Sequence, residues 1–130
     1  MSIHLVIEDL PQNVRDAVKR RSVDLRNGKL LLADGNEPTR ENANRLIQRA
    51  SARMAPNMAA IERLKALPDD AGVQDVRDAE GVLDSRSTDK QTTLRKYRQR
   101  LADSRRYIDD LNLVADYYKP VDVVSTEDKI

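Results

Sequence analysis

Residues 94–118 carry the pattern that most limits what this chain can become. Written as a heptad, Leu94, Leu101, Ile108 and Ala115 take the a positions and Tyr97, Ser104, Leu111 and Tyr118 take d. A register kept over this length predicts one long helix with a continuous apolar seam, and such a seam must be covered by a second helical surface. Ser104 and Ala115 are small for knobs, so the seam reads as the face of a bundle or an antiparallel hairpin. It is too weak for a self-sufficient zipper.

Charge narrows the choice of partner. Residues 90–106 hold Lys90, Arg95, Lys96, Arg98, Arg100, Arg105 and Arg106 against Asp103, whereas residues 67–89 hold seven acids against Arg77 and Arg86. Folding one stretch back on the other sets opposite charges side by side. A parallel homodimeric coiled coil is disfavoured, because Arg100 at g would approach Arg105 at e of the other chain, with Arg98 adding to the repulsion.

The rest of the chain supplies elements to pack against this helix. Phe and Trp are absent, so the core before Tyr97 must come from Leu, Val, Ile, Met and Ala, a palette that suits helices. Alternation of Ile3, Leu5 and Ile7 predicts a short strand at about residues 2–8, and "KLLLADG" predicts a second. Pro11, Val14, Ala17, Val18 and Leu25 predict a first helix that stops at Asn27-Gly28. Thr39 is the expected N-cap of a second helix, with Glu41 in its first turn, and Pro56 is expected to interrupt it, Asn57 capping the next. That third helix reaches Pro68. A weaker fourth contains Gly81, and Ser87 or Thr88 caps the last, which ends near Lys119 before Pro120.

The fold class expected is therefore mainly α: a helical bundle with a long C-terminal helix in an antiparallel hairpin and a small N-terminal β element. Residues 1–119 read as one helical domain, and residues 120–130 as an extended C-terminal docking tail.

Several chemistries find no support. Without cysteine there is no disulfide, thiolate nucleophile or cysteine-based zinc site, and His4 is the only histidine. "STDK" at Ser87–Lys90 has the spacing of some acyl enzymes without their companion motifs, and a helix cap explains it better. Asp69-Asp70 and Asp109-Asp110 are adjacent pairs that point about 100° apart on a helix, which suits solvated charge better than a metal. No cofactor and no catalysis are expected.

What remains is surface. Leu113 and Tyr117 fall outside the seam and Val114 widens it, so the end of the last helix is apolar nearly all round. A helix of about 30 residues is ~45 Å long, whereas a compact globule of this size spans about 35 to 40 Å. The expected consequence is a protein interface at Leu111, Leu113, Val114, Tyr117 and Tyr118, continued by Val121, Val123 and Val124 of the tail, through which the chain joins other subunits in a homo- or hetero-oligomer. In outline, a helical bundle with a docking tail is similar to small bacteriophage head-to-tail joining proteins and small terminase subunits, a likeness that covers no specific residues. It implies a structural role within a large assembly such as a virion.

The alternative is nucleic-acid binding through an Arg-rich helical face, with Arg45, Arg49 and Arg53 at helical spacing and Arg20 and Arg21 extending it. The net charge of +1 supplies no global attraction, so any such binding is local. No apolar stretch approaches the ~20 residues that cross a bilayer, and the N-terminus lacks a signal-peptide pattern. The expected location is the cytoplasm or the assembly itself.

Overall fold

The computed structural model describes residues 5–84 and 86–118, and it is mainly helical. In order come a single 3-10 turn at Ile7–Asp9, helix α1 (Gln12–Lys19), strands β1 (Val23–Arg26) and β2 (Lys29–Leu32), then helices α2 (Arg40–Lys65), α3 (Val73–Glu80) and α4 (Lys90–Tyr117). The chain packs as two compact units. The first runs to Gln48 and resumes at Tyr107, and the second is Arg49–Arg106.

The first unit holds the β element, though not where the alternation placed it. Among the described residues of the expected strand at 2–8, Ile7 begins a 3-10 turn, because the Asp9 carboxylate accepts from the Val6 N–H at 3.3 Å and offers the backbone a local alternative to a ladder. α1 is shorter than expected and stops at Lys19. Its end is a Schellman motif, in which the Ser22 N–H donates to the Ala17 carbonyl and the Arg21 N–H to that of Val18. Arg21 occupies the left-handed position at φ 66°, where glycine is usual.

Leu25 therefore lies in a strand. Asn27-Gly28 is not a helix stop but a two-residue hairpin turn, with positive φ at both residues, as a type I′ turn requires. The register pairs Val23 with Leu32 and Leu25 with Leu30, setting those four on one face and Asp24, Arg26, Lys29 and Leu31 on the other. Val23, Leu30 and Leu32 are buried with Leu10, Val14 and Ala17. The start of α2 (Ala43, Leu46) and the end of α4 (Leu111, Val114, Ala115) complete that core.

α2 begins as expected, the Thr39 hydroxyl accepting from the Asn42 N–H at 3.1 Å. It does not break at Pro56, however, and continues to Lys65 as one helix. Pro56 is exposed, so its ring faces water, and the loss is confined to one intrahelical hydrogen bond.

The second unit packs three helical faces together: Ile61 and Leu64 of α2, Val76 and Ala79 of α3, and Leu94, Tyr97 and Leu101 of α4. α3 ends at Gly81, whose φ of 74° turns the chain away. Arg63 caps its last carbonyls, Nε donating to Ala79 at 2.6 Å and Nη2 to Glu80 at 3.4 Å. α4 is capped by Asp89 rather than by Ser87 or Thr88: the Asp89 carboxylate accepts from the Thr92 N–H at 2.9 Å, a bond that lowers its pKa. Because the start of α2 meets the end of α4 in one unit and the end of α2 meets the start of α4 in the other, the two helices are antiparallel. The heptad seam faces inward, with Leu94, Tyr97, Leu101, Leu111 and Ala115 buried.

Candidate association and nucleic-acid surfaces

The end of α4 divides into two faces. Leu111 and Val114 are fully enclosed by the first unit, so these two members of the expected interface are core residues of their own chain. Leu113 and Tyr118 are half-buried, and Tyr117 is 36% exposed. Val121, Val123 and Val124 lie outside the described residues. What α4 offers to a partner is thus narrower than its apolar circumference implies: Tyr117 and Tyr118, flanked by Asp116, with the exposed part of Leu113, which itself packs against the first unit's core.

Polar contacts fix that last turn. Arg40, at the first position of α2, donates to Asn112 Oδ1 at 2.7 Å, to the Asn112 carbonyl at 3.3 Å and to Asp116 Oδ1 at 2.5 Å. One turn earlier, the Asp110 carboxylate is buried and accepts from Arg20 Nε at 3.0 Å, Arg20 Nη2 at 2.7 Å and Ser22 Oγ at 2.7 Å. The hydrogen bond from Arg20 to Asp110 raises the arginine's pKa. The Schellman turn at Arg21 is what presents Arg20 and Ser22 together to this carboxylate.

The candidate nucleic-acid residues separate in the same way. Arg20 is committed to Asp110. Arg21 is exposed on its strained turn, and Arg45, Arg49 and Arg53 are exposed on α2 without an ion pair among the described residues. Arg45 belongs to the first unit, Arg49 and Arg53 to the second.

On α4 the acidic segment neutralises part of the basic one. Lys90 Nζ donates to the Leu67 carbonyl at 2.7 Å and pairs with Asp69 at 3.2 Å. Asp84 gathers Lys96, Arg100 at 3.5 Å and Arg86, whose backbone N–H donates at 3.0 Å. The Lys96 hydrogen bond, seconded by that N–H, holds the Asp84 carboxyl far below the usual carboxylate range. Arg95, Arg98, Arg105 and Arg106 make no hydrogen bond or ion pair among the described residues, and all four are exposed. Arg95 and Arg98 join Gln91 and Gln99 around an open depression of about 320 Å³. Sequence reasoning placed these arginines against the acids, and it missed that Asp69 and Asp84 are used up by the other three cations.

Beneath them lies a buried acid that the sequence did not announce. Glu80 is 0% exposed and accepts from the Tyr97 hydroxyl through Oε1, while Oε2 has no partner among the described residues. Burial, then Glu80, raises the Tyr97 pKa, and Arg100 lies 4.9 Å from the ring centroid.

The Ser-x-x-Lys spacing brings no pair together. Lys90 points to Leu67 and Asp69, and Ser87 instead receives Lys96 at 3.1 Å. The same Lys96 Nζ is ion-paired with Asp84. Among the described residues no cluster of acids or histidines has metal-binding geometry, and no helix is long and apolar enough to cross a membrane. No protein-family model, no curated protein and no solved structure matches this chain.

Proposed function

We propose that this protein is a non-catalytic assembly component that joins other subunits through the last turns of α4 and the segment that follows. The observation that carries the reading is the partial exposure of Leu113, Tyr117 and Tyr118 on turns whose opposite side, Leu111 and Val114, is already saturated by the protein's own core. An aromatic residue on a rigid, well-anchored turn gives contact area at little entropic cost, which is why such residues concentrate in interfaces. The heptad seam is spent within the chain, so a zipper with a second α4 has no face to use. Val121, Val123 and Val124 would extend the contact, in a large assembly such as a virion or in the cytoplasm.

Light scattering across a concentration series, alone and with candidate subunits, tests the reading. Leu113→Ser with Tyr117→Ser, or deletion of residues 120–130, is expected to abolish association while helical circular dichroism persists. Association that survives both changes removes the interface.

A second reading, nucleic-acid binding through Arg45, Arg49 and Arg53, is favoured by their exposure without ion pairs. The triple glutamine variant is expected to weaken a salt-sensitive complex, and a complex unaffected by it excludes this face.

A further inference from the structure

We propose that the outer face of α4 in the second unit binds the sugar-phosphate backbone of a nucleic-acid duplex. The inference does not require the assembly reading. It moves the nucleic-acid reading from α2 to a different surface, so that each can fail alone.

The argument begins with which cations the fold uses. Of the seven basic residues between 90 and 106, Lys90, Lys96 and Arg100 are held by Asp69 and Asp84. Arg95, Arg98, Arg105 and Arg106 are not. Asp89 lies near enough to feel Arg95, but it spends its carboxylate on the Thr92 N–H. Like charges at i and i+3, such as Arg95 and Arg98, work against a helix. Four arginines are thus left without an ion pair or hydrogen bond among the described residues, next to a segment rich in acids.

Their placement gives them a common direction. Gln91, Arg95, Arg98, Ala102 and Arg105 recur at helical spacing and share one stripe, with Gln99 and Arg106 along its edge. From Gln91 to Arg105 the stripe is ~21 Å long at the α-helical rise. A duplex presents one negative charge per roughly 1.7 Å of axis, so the stripe lies within reach of several phosphates. Ala102 in its middle lets a backbone approach closely. The depression lined by Gln91, Arg95, Arg98 and Gln99 sets two guanidinium groups, unpaired among the described residues, around one hollow, whose carboxamides donate instead to Asp69 at 3.3 Å and Asp103 at 2.9 Å. Every unpaired cation of this stripe is arginine, whose planar fork grips a phosphate through two hydrogen bonds at once.

The same face argues against unpaired bases. Binding of single strands depends on aromatic platforms, and the second unit's one aromatic residue, Tyr97, is fully buried. Asp103, beside Gln99, is the only carboxylate in residues 90–106. It bounds the stripe on one side.

Fluorescence anisotropy of the full chain with a labelled 20-base-pair duplex, made once as DNA and once as RNA, tests this between 50 and 200 mM KCl. Four phosphate contacts predict a slope of log K against log salt of about −3.6, a loss of ~100-fold over that range. Arg95→Gln with Arg98→Gln is expected to bring the slope to about −1.8, and adding Arg105→Gln with Arg106→Gln to remove it. Either duplex behaving so supports the proposal and names the nucleic acid. Circular dichroism checks the fold, and should the fourfold variant unfold, the two double variants carry the same test. The proposal is overturned by the absence of binding to both duplexes at 50 mM, by a slope unchanged in the variants, or by loss of binding only when Arg45, Arg49 and Arg53 are replaced. It is overturned equally if polyglutamate competes for this face as well as the duplex does, since the partner would then be an acidic protein.

Discussion

Arg20 and Asp110 are 90 residues apart in sequence and joined by two hydrogen bonds, yet removing one should not cost the same as removing the other. The Asp110 side chain is 5% exposed, that of Arg20 38%. Arg20→Ala leaves a buried carboxylate with only the Ser22 hydroxyl. Breaking a buried pair from one side typically costs 3–5 kcal/mol, and the surviving hydrogen bond puts this case near the lower end, about 3 kcal/mol. Asp110→Ala leaves a guanidinium that can turn to water, so its charge term must be discounted for screening. It loses about 1 kcal/mol for the Ser22 bond and about 1 kcal/mol for the rest, roughly 2 kcal/mol in all. The double variant should cost only about 3 kcal/mol, which leaves a coupling of ~2 kcal/mol in the cycle. Urea unfolding followed by circular dichroism, with the denaturant slope held constant across the four proteins, measures each corner. Additivity within ~0.5 kcal/mol, or a larger loss for Asp110→Ala than for Arg20→Ala, would refute the reasoning from burial.

The other expectations concern single positions. Tyr97→Phe deprives fully buried Glu80 of its donor and should cost ~1–3 kcal/mol, whereas pairing it with Glu80→Met should restore most of the loss, as urea midpoints will show. Asp84 has a lower pKa folded than unfolded, so its contribution is complete above about pH 4 and is lost as pH falls toward the folded value. The midpoint difference between the native protein and Asp84→Asn should therefore shrink from pH 6 to pH 2, and a constant difference would contradict the pairing. Arg21→Gly relieves a left-handed arginine and is expected to stabilise by about 1 kcal/mol in thermal melts.

Much of the helical plan could be read from residue order because it rests on periodicity. Leu94, Tyr97, Leu101 and Leu111 announced their inward face through spacing alone, and Thr39 its capping role through Pro38 and Glu41. Asn27-Gly28 was ambiguous, since the same positive φ ends a helix or turns a hairpin, and the alternation of Val23, Leu25, Leu30 and Leu32 decides for the hairpin only when both strands are considered together. Pro56 misled because a proline that faces water costs a helix one bond without ending it. The candidate surfaces were harder to read. Whether Arg20 is bound or Arg98 free depends on acids that folding brings near from distant segments, and net charge counted along a stretch cannot say which carboxylate a given guanidinium will meet.

The first unit is interrupted in sequence: its core needs Leu111, Val114 and Ala115, which follow the whole of the second. During synthesis Leu10, Val14 and Leu32 are made early and the α4 residues that cover them late, so the first unit's core closes only once the end of α4 has emerged. A free chain ending at Arg106 would carry every residue of the second core and leave the first without Leu111, Val114 and Ala115.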